Sequence, residues 1–409
     1  MTKRARMAET LMDRRRFLGA GAGVTAALAG FGPGAGRAAA EPRIRRYVTL
    51  GNTGLRVSDI SFGSSRSADP ELVRHAVARG VTYFDTAESY RGGRAEEAIG
   101  EALRGIRDRH VVASKHKAWS GESRRQMMSA LEGSLRRLRT DYLDIYFNHA
   151  VNDVRRLQNP EWAEFTDRAI RDGKIRFRGM SGHGGSLVEC LDYALDHDLA
   201  DVVLLAYNFA QDPSFYEKLR AQLHFVALQP GLGRAIERAS SKGVGVIAMK
   251  TLMGARINDL RPWETDGATF AQAAFRWVLS SPHVDGLVVS MTSTADIDEY
   301  VAASGSGPIG AADMHLLARY AARQGPRYCR PACNACEASC PAGVEIPEVL
   351  RTRMYDVDYG DPELARADYA ALGAGAGSCL ACDGTPCLAA CPHGVPIGTF
   401  TRDAASRLG

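Results

Sequence analysis

Residues 81–103 read VTYFDTAESYRGGRAEEAIGEAL, and this stretch carries the alternation that decides the fold. Val81–Asp85 is a short run of β-branched and aromatic residues closed by an acid, and Arg94–Leu103, after a glycine pair, has apolar residues at helical spacing. The same strand-then-helix unit recurs on both sides. Strands are expected at Asp59–Phe62, Val81–Asp85, His110–Ser114, Tyr142–Phe147, Phe177–Ser181, Asp201–Ala206, Val244–Met249 and Gly286–Ser290. Helices are expected at Pro70–Arg79, Arg94–Leu103, Ser123–Leu138, Pro160–Asp172, Leu187–His197, Leu232–Lys242, Thr269–Leu279 and Thr294–Ala302. Strict alternation implies a parallel sheet, and eight units in about 250 residues are the size of an α/β protein built on a closed (β/α)8 TIM barrel. Functional side chains are then expected at the carboxyl ends of the strands.

Those ends carry polar residues that a packing role would not require: Asp85 after the second strand, Tyr90 just beyond it, Lys115 after the third and His149 after the fourth. A tyrosine hydroxyl with a pKa near 10 is a poor acid at neutral pH, and a neighbouring lysine cation is expected to lower it by stabilising the phenolate. Asp85 would orient that lysine. His149 would donate to a substrate oxygen as charge develops, while Tyr90 delivers the proton and a hydride arrives at carbon. The set reads as machinery for carbonyl reduction, or for alcohol oxidation in reverse.

Over nearly all of residues 46–302 the chain resembles the aldo-keto reductases. The matching stretches are Leu50-Gly51-Asn52-Thr53-Gly54-Leu55-Arg56-Val57-Ser58, Phe84-Asp85-Thr86-Ala87-Glu88-Ser89-Tyr90, Lys115, and Asp141-Tyr142-Leu143-Asp144-Ile145-Tyr146 leading to His149. Gly173-Lys174-Ile175-Arg176 before Gly179-Met180-Ser181 matches as well. The resemblance implies a catalytic set of Asp85, Tyr90, Lys115 and His149. It also implies a nicotinamide nucleotide across the barrel mouth, with Ser181 and His183 near the carboxamide, Met249 beside the ring where an aromatic residue is common, and Ser290, Thr292 and Ser293 near the phosphates. Leu204 stands where the family commonly has Gln. The family's cation for an adenosine 2′-phosphate would fall in Ser290–Tyr300, yet the only charges in that stretch are the acidic Asp296, Asp298 and Glu299, so NADP specificity gains no support and NAD stands beside NADP as the cofactor.

Eight of the nine cysteines lie in two runs, Cys329-x3-Cys333-x2-Cys336-x3-Cys340-Pro341 and Cys379-x2-Cys382-x4-Cys387-x3-Cys391-Pro392. The frame Cys-x3-Cys-Pro-x-Gly-Val-x-Ile recurs after 51 residues, which marks a duplicated half-domain. This spacing points to two 4Fe-4S clusters, one on Cys329, Cys333, Cys336 and Cys391 and the other on Cys379, Cys382, Cys387 and Cys340, because the cysteine before proline typically reaches the partner run's cluster. Four disulfides or a pair of zinc sites are the alternatives. Helical spacing between the runs makes the tail a small, mainly helical iron–sulfur domain, and a branch of the resembled family carries such an extension. Cys190, in an apolar helical pattern, reads as a buried small hydrophobe.

At the other end, Arg14-Arg15-Arg16-Phe17-Leu18-Gly19 precedes an apolar, Gly/Ala-rich stretch and then Ala38-Ala39-Ala40. This reads as a twin-arginine export signal cleaved after Ala40, which would carry the protein out, to the periplasm or beyond, with its cofactors already loaded. The expected domains are thus 1–40, the leader; 41–310, the barrel; and 311–409, the cluster domain. Of 51 basic and 47 acidic residues, 7 and 2 fall in the first 40, which leaves 44 against 45 and no basic excess for nucleic acid. No apolar run approaches the roughly 20 residues of a membrane span. The expected partners are a small carbonyl or alcohol substrate and a redox partner protein. An electron-transfer protein whose barrel is only a docking platform is the competing reading.

Overall fold

A computed structural model describes residues 41–209, 230–253, 264, 269–324, 327–372 and 374–409. The export leader, 1–40, lies outside them, as does most of the long connection expected at Gln211–Gly233. Residues 42–409 form one compact unit.

Eight strands close the barrel: β3 (Ile60–Gly63), β4 (Tyr83–Asp85), β5 (Val111–His116), β6 (Leu143–Asn148), β7 (Ile175–Gly182), β8 (Val202–Ala206), β9 (Gly245–Met249) and β10 (Gly286–Ser290), with β10 hydrogen-bonded back to β3. They follow β1 (Tyr47–Thr49) and β2 (Arg56–Ser58), an antiparallel hairpin. Every barrel pairing is parallel. Strands covered on both faces need apolar residues throughout, which is why β8, Val-Val-Leu-Leu-Ala, is buried along its whole length.

Helix starts obey local chemistry. Asp69 and Asn159 cap helices that open with Pro70 and Pro160, and Ser123 forms a reciprocal capping box with Gln126. Inside the barrel, Tyr83, Ile145, Phe147, Leu204 and Ile247 pack in one cluster with Leu50, Leu55 and Val57 of the hairpin, which plugs the barrel at its amino end. Gly51 makes this plug possible. It adopts φ +44°, and a Cβ there would stand 2.3 Å from the Gly243 carbonyl oxygen.

Strand stagger brings the chemistry to one level. Asp85 is level with Ala113, and Lys115 lies two residues further on the same face of β5; Lys115 is level with Phe147, and His149 lies two residues beyond.

The tail begins with the helix Ala311–Gln324, which lies along Phe270–Leu279: Tyr320 stacks on Phe270 at 4.1 Å, and Arg276 donates to Asp313 at 3.0 Å. Beyond it come the helices Ile346–Val357, Pro362–Ala370, Pro386–Ala390 and Ile397–Leu408, so this part is mainly helical, as expected. The 51-residue repeat is structural too. Gly343 and Gly394 adopt φ +62° and +63°, each leading into the same Val-x-Ile turn and a long helix, and these two helices pack on each other around Val344, Ile346, Val395 and Ile397. No helix among the described residues is long and apolar enough to cross a membrane.

Candidate active site

The four strand-end residues meet at the carboxyl mouth. The Lys115 ammonium donates to the Asp85 carboxylate and, at 2.7 Å, to the Thr86 carbonyl, while the Tyr83 hydroxyl donates to the other Asp85 oxygen at 3.3 Å. Tyr90 starts an irregular turn in which Arg91, Gly92 and Gly93 all take positive φ. Its ring centroid is 4.9 Å from Lys115 Nζ and 5.7 Å from the His149 ring, which it meets edge-on at 83°. His116, next to Lys115, is held between the carboxylates of Glu88 and Glu122, tying the loop before Tyr90 to β5.

Burial dominates the electrostatics. It pushes the Asp85 carboxyl up and the Lys115 ammonium down, each opposed by the other's charge. It pushes the Tyr90 phenol well above its ordinary value, and Asp85, Tyr355, Tyr359 and Asp368 push the same way. The expected lowering of Tyr90 by Lys115 does not occur, because burial of the phenol is the largest influence on it and the surrounding acidic and tyrosine groups add to the rise. Burial also drives His149 well below the ordinary histidine range, followed by the nearby charges of Lys115, Lys117, Arg156 and Arg351, so the ring is neutral at physiological pH.

The cavity above these residues is about 120 Å³. Its floor and walls include Asp85, Tyr90, Lys115, His149, Ser181, His183, Met249 and Ser290, and its roof is the tail: Tyr355, Tyr359, Leu364 and Asp368. Ion pairs fix the roof to the barrel. Asp368 accepts from Lys117 and, at 2.9 Å, from Arg351, whose Nε donates to Glu348 at 2.7 Å. The tail residues carried no sequence signal for this position. Lys250, directly after β9, did, because it satisfies the rule that strand ends carry function, yet sequence reading passed over it.

Of the residues expected to hold a nicotinamide nucleotide, Ser181, His183, Met249 and Ser290 line the cavity. Thr292 and Ser293 do not: the Thr292 hydroxyl donates to Asp296 at 2.6 Å, and Ser293 caps the helix Thr294–Val301. Asp298 is held by His75 and Arg79, both at 2.7 Å. The polar strand ends around the nicotinamide position fit that group. Lys250 and Arg66, further round the mouth, are cations suited to its phosphates.

None of the nine cysteines forms a disulfide, so the four-disulfide alternative gains no support. Burial raises the Cys329 thiol, reinforced by Cys333, Cys336 and Cys391, and burial pushes Cys336 up to about 12 with help from Cys391 and Cys333. Burial likewise raises Cys387, reinforced by Cys340, Cys379 and Cys382, which surround a cavity of about 200 Å³. Among the described residues no three His, Cys, Asp or Glu side chains are close enough to hold a single metal ion. The first run packs on the barrel mouth: Ala332 N–H faces the His183 carbonyl at 3.4 Å, and a Cβ on Gly185 would stand 2.7 Å from Asn334 Cβ. Cys190 is fully buried, and burial pushes its thiol up to about 12.

Comparison with known proteins places the barrel. The family model described as "Aldo/keto reductase family" matches residues 59–319. A probable voltage-gated potassium channel subunit beta of Oryza sativa subsp. japonica is 27% identical in a 299-position alignment that covers 62% of this chain and 89% of that protein. L-glyceraldehyde 3-phosphate reductase of Escherichia coli O157:H7 is 25% identical over 63% of this chain and 87% of its own length. The crystal structure of an aldo/keto reductase from Klebsiella pneumoniae in complex with NADP and acetate superposes with a TM-score of 0.51 at 26% identity, covering 68% of this chain and 95% of that one. With its family model spanning well over half of its length and its strand ends arranged as above, the chain belongs to the aldo/keto reductase family and is an oxidoreductase of that type.

Proposed function

We propose that this protein is an exported reductase of small carbonyl compounds, working with a nicotinamide nucleotide and carrying two 4Fe-4S clusters in its tail. The observation that carries the enzymatic part is the convergence of Asp85, Tyr90, Lys115 and His149 on one cavity at the barrel's carboxyl mouth. The nicotinamide would be held by Ser181, His183 and Met249, and the chemistry it supplies when bound is a hydride. Related reductases, one of them solved with NADP, support that cofactor.

Tyr90 is fully protonated at neutral pH, which suits proton donation in the reductive direction. Lys115 and Asp85 form a buried pair that fixes the tyrosine's surroundings. Neutral His149, edge-on to Tyr90, presents an N–H to a substrate oxygen without introducing a competing cation. The Tyr90→Phe variant tests the assignment: kcat falls at least about 100-fold while nucleotide affinity is retained. Unchanged turnover defeats the assignment.

The cluster reading is supported by the repeated cysteine frame and by the mutual influence of Cys329, Cys333, Cys336 and Cys391, and of Cys340, Cys379, Cys382 and Cys387. Sulfurs around one zinc ion at 2.3 Å would sit roughly 4 Å apart, closer than a cubane requires. Protein purified anaerobically after export is expected to contain iron and acid-labile sulfide and to begin after Ala40. Metal-free protein, or retention of the leader in the cytoplasm, defeats the respective part.

One observation favours a second reading, electron transfer through a docked partner: the first cysteine run is seated on the His183–Gly185 segment beside the cavity. Transfer from reduced protein to an acceptor without nucleotide would support it, and its absence in cluster-loaded protein would eliminate it.

A further inference from the structure

The two copies of the cysteine frame differ at one buried position. Counting 51 residues on, Ala342 of the first copy corresponds to His393 of the second, each directly after the Cys-Pro pair. Ala342 is exposed. His393 is 3% exposed and reaches across to the other run, where its Nε2 stands 3.9 Å from Sγ of Cys333, itself 5% exposed. Arg330, also buried, follows Cys329 directly, and its charge favours the Cys329 thiolate. At the second run the neighbouring arginine, Arg402, is half-buried and donates to backbone carbonyls, those of Cys379 at 3.3 Å and of Cys382, instead of to a sulfur. Cys329 and His183 line one cavity of about 70 Å³, so the run that His393 touches is the one beside the barrel mouth.

We infer, resting on the cluster reading of these cysteines, that His393 is a positioning residue whose Nε2–H donates to Cys333 Sγ and raises the reduction potential of the first-run cluster alone. A cluster that accepts one electron from a one-electron donor gains negative charge on its sulfurs. No bond forms or breaks, and the ring keeps its proton. An N–H aimed at a sulfur favours the more negative state and so makes reduction easier. Burial of the run works against added charge, which is the reason a donor is needed there. Burial also decides that this donor counts: both partners are out of water, so no solvent molecule takes the imidazole's place when it is removed. Position 342, exposed and without a donor, offers the second run nothing comparable. His393 thus sets the energy of the electron held nearest the barrel mouth.

The test is an anaerobic redox titration of the full-length, cluster-loaded protein, reduced with dithionite and followed by electron paramagnetic resonance. His393→Ala is expected to keep its iron and to move one of the two cluster midpoints to more negative potential by about 59 mV, a tenfold change in the ratio of reduced to oxidised cluster, with the other unmoved. His393→Gln, whose amide keeps an N–H, is expected to recover most of that shift. In the wild type carrying isotope-labelled histidine, pulsed resonance is expected to show a ring nitrogen coupled to one reduced cluster. Where His393→Ala sheds iron, this coupling decides in either direction. Two clusters with neither midpoint moved, with both moved equally, or with no such coupling overturn the inference and leave the cluster reading standing. Wild-type protein without iron and acid-labile sulfide overturns both together.

Discussion

Single residues in this site behave according to burial more than according to neighbours in sequence. Asp85, Lys115 and His149 announced themselves by position at strand ends, but their electrostatics did not: Tyr90 is driven up rather than down because the roof removes water from it. His149 and His183 are both held well below the usual histidine value by burial, helped at His149 by Lys115 and at His183 by Lys250. The folded state therefore refuses protons that the unfolded chain accepts below about pH 6.5. Their contribution to stability is fully present above that pH and is lost as pH falls toward the folded-state values, at ~1.4 kcal/mol per pH unit for each. Urea midpoints measured from pH ~7.5 to ~5.5 should fall, less steeply in His149→Gln and His183→Gln; a flat profile would contradict the burial argument. For the same reason the rate profile should show no acid limb near pH 6.5 from His149.

Elements were legible wherever periodicity was strong. All eight expected strands and the helices between them are present, with ends shifted by a residue or two, because strands buried on both faces and helices with one apolar stripe leave unmistakable patterns. The hairpin β1–β2 was visible only as the Leu50–Ser58 stretch that matches the family, and its role as the plug beneath the barrel depends on contacts across about 190 residues, from Gly51 to Gly243. Gly51→Ala tests that role. A Cβ at φ +44° with a carbonyl oxygen 2.3 Å away cannot be accommodated without moving the hairpin, so a loss of about 2–4 kcal/mol is expected in chemical denaturation. A loss below about 0.5 kcal/mol would show that the plug is not tightly seated.

At the scale of the whole molecule, the tail is part of the active-site enclosure as well as an appendage bearing cysteines. Asp368, 5% exposed, is the carboxylate shared by Lys117 of the barrel and Arg351 of the tail. Replacing it with Asn leaves one buried cation unmatched and the other with Glu348 alone, so Asp368→Asn should cost about 3 kcal/mol and open the cavity, seen as faster proteolysis between the barrel and helix Ile346–Val357. Wild-type stability and protease resistance in that variant would show that the roof is held by other contacts. By itself the sequence determined the barrel, the strand-end residues and the duplicated cysteine frame, because each is written in local spacing that physical chemistry reads one way. Only the tertiary structure decided what covers the mouth. The pairing of Lys117 with Asp368 spans 251 positions, and the facing of Lys250 and Arg66 by Tyr355 and Tyr359 arises from docking two pieces of chain whose local patterns are silent about each other.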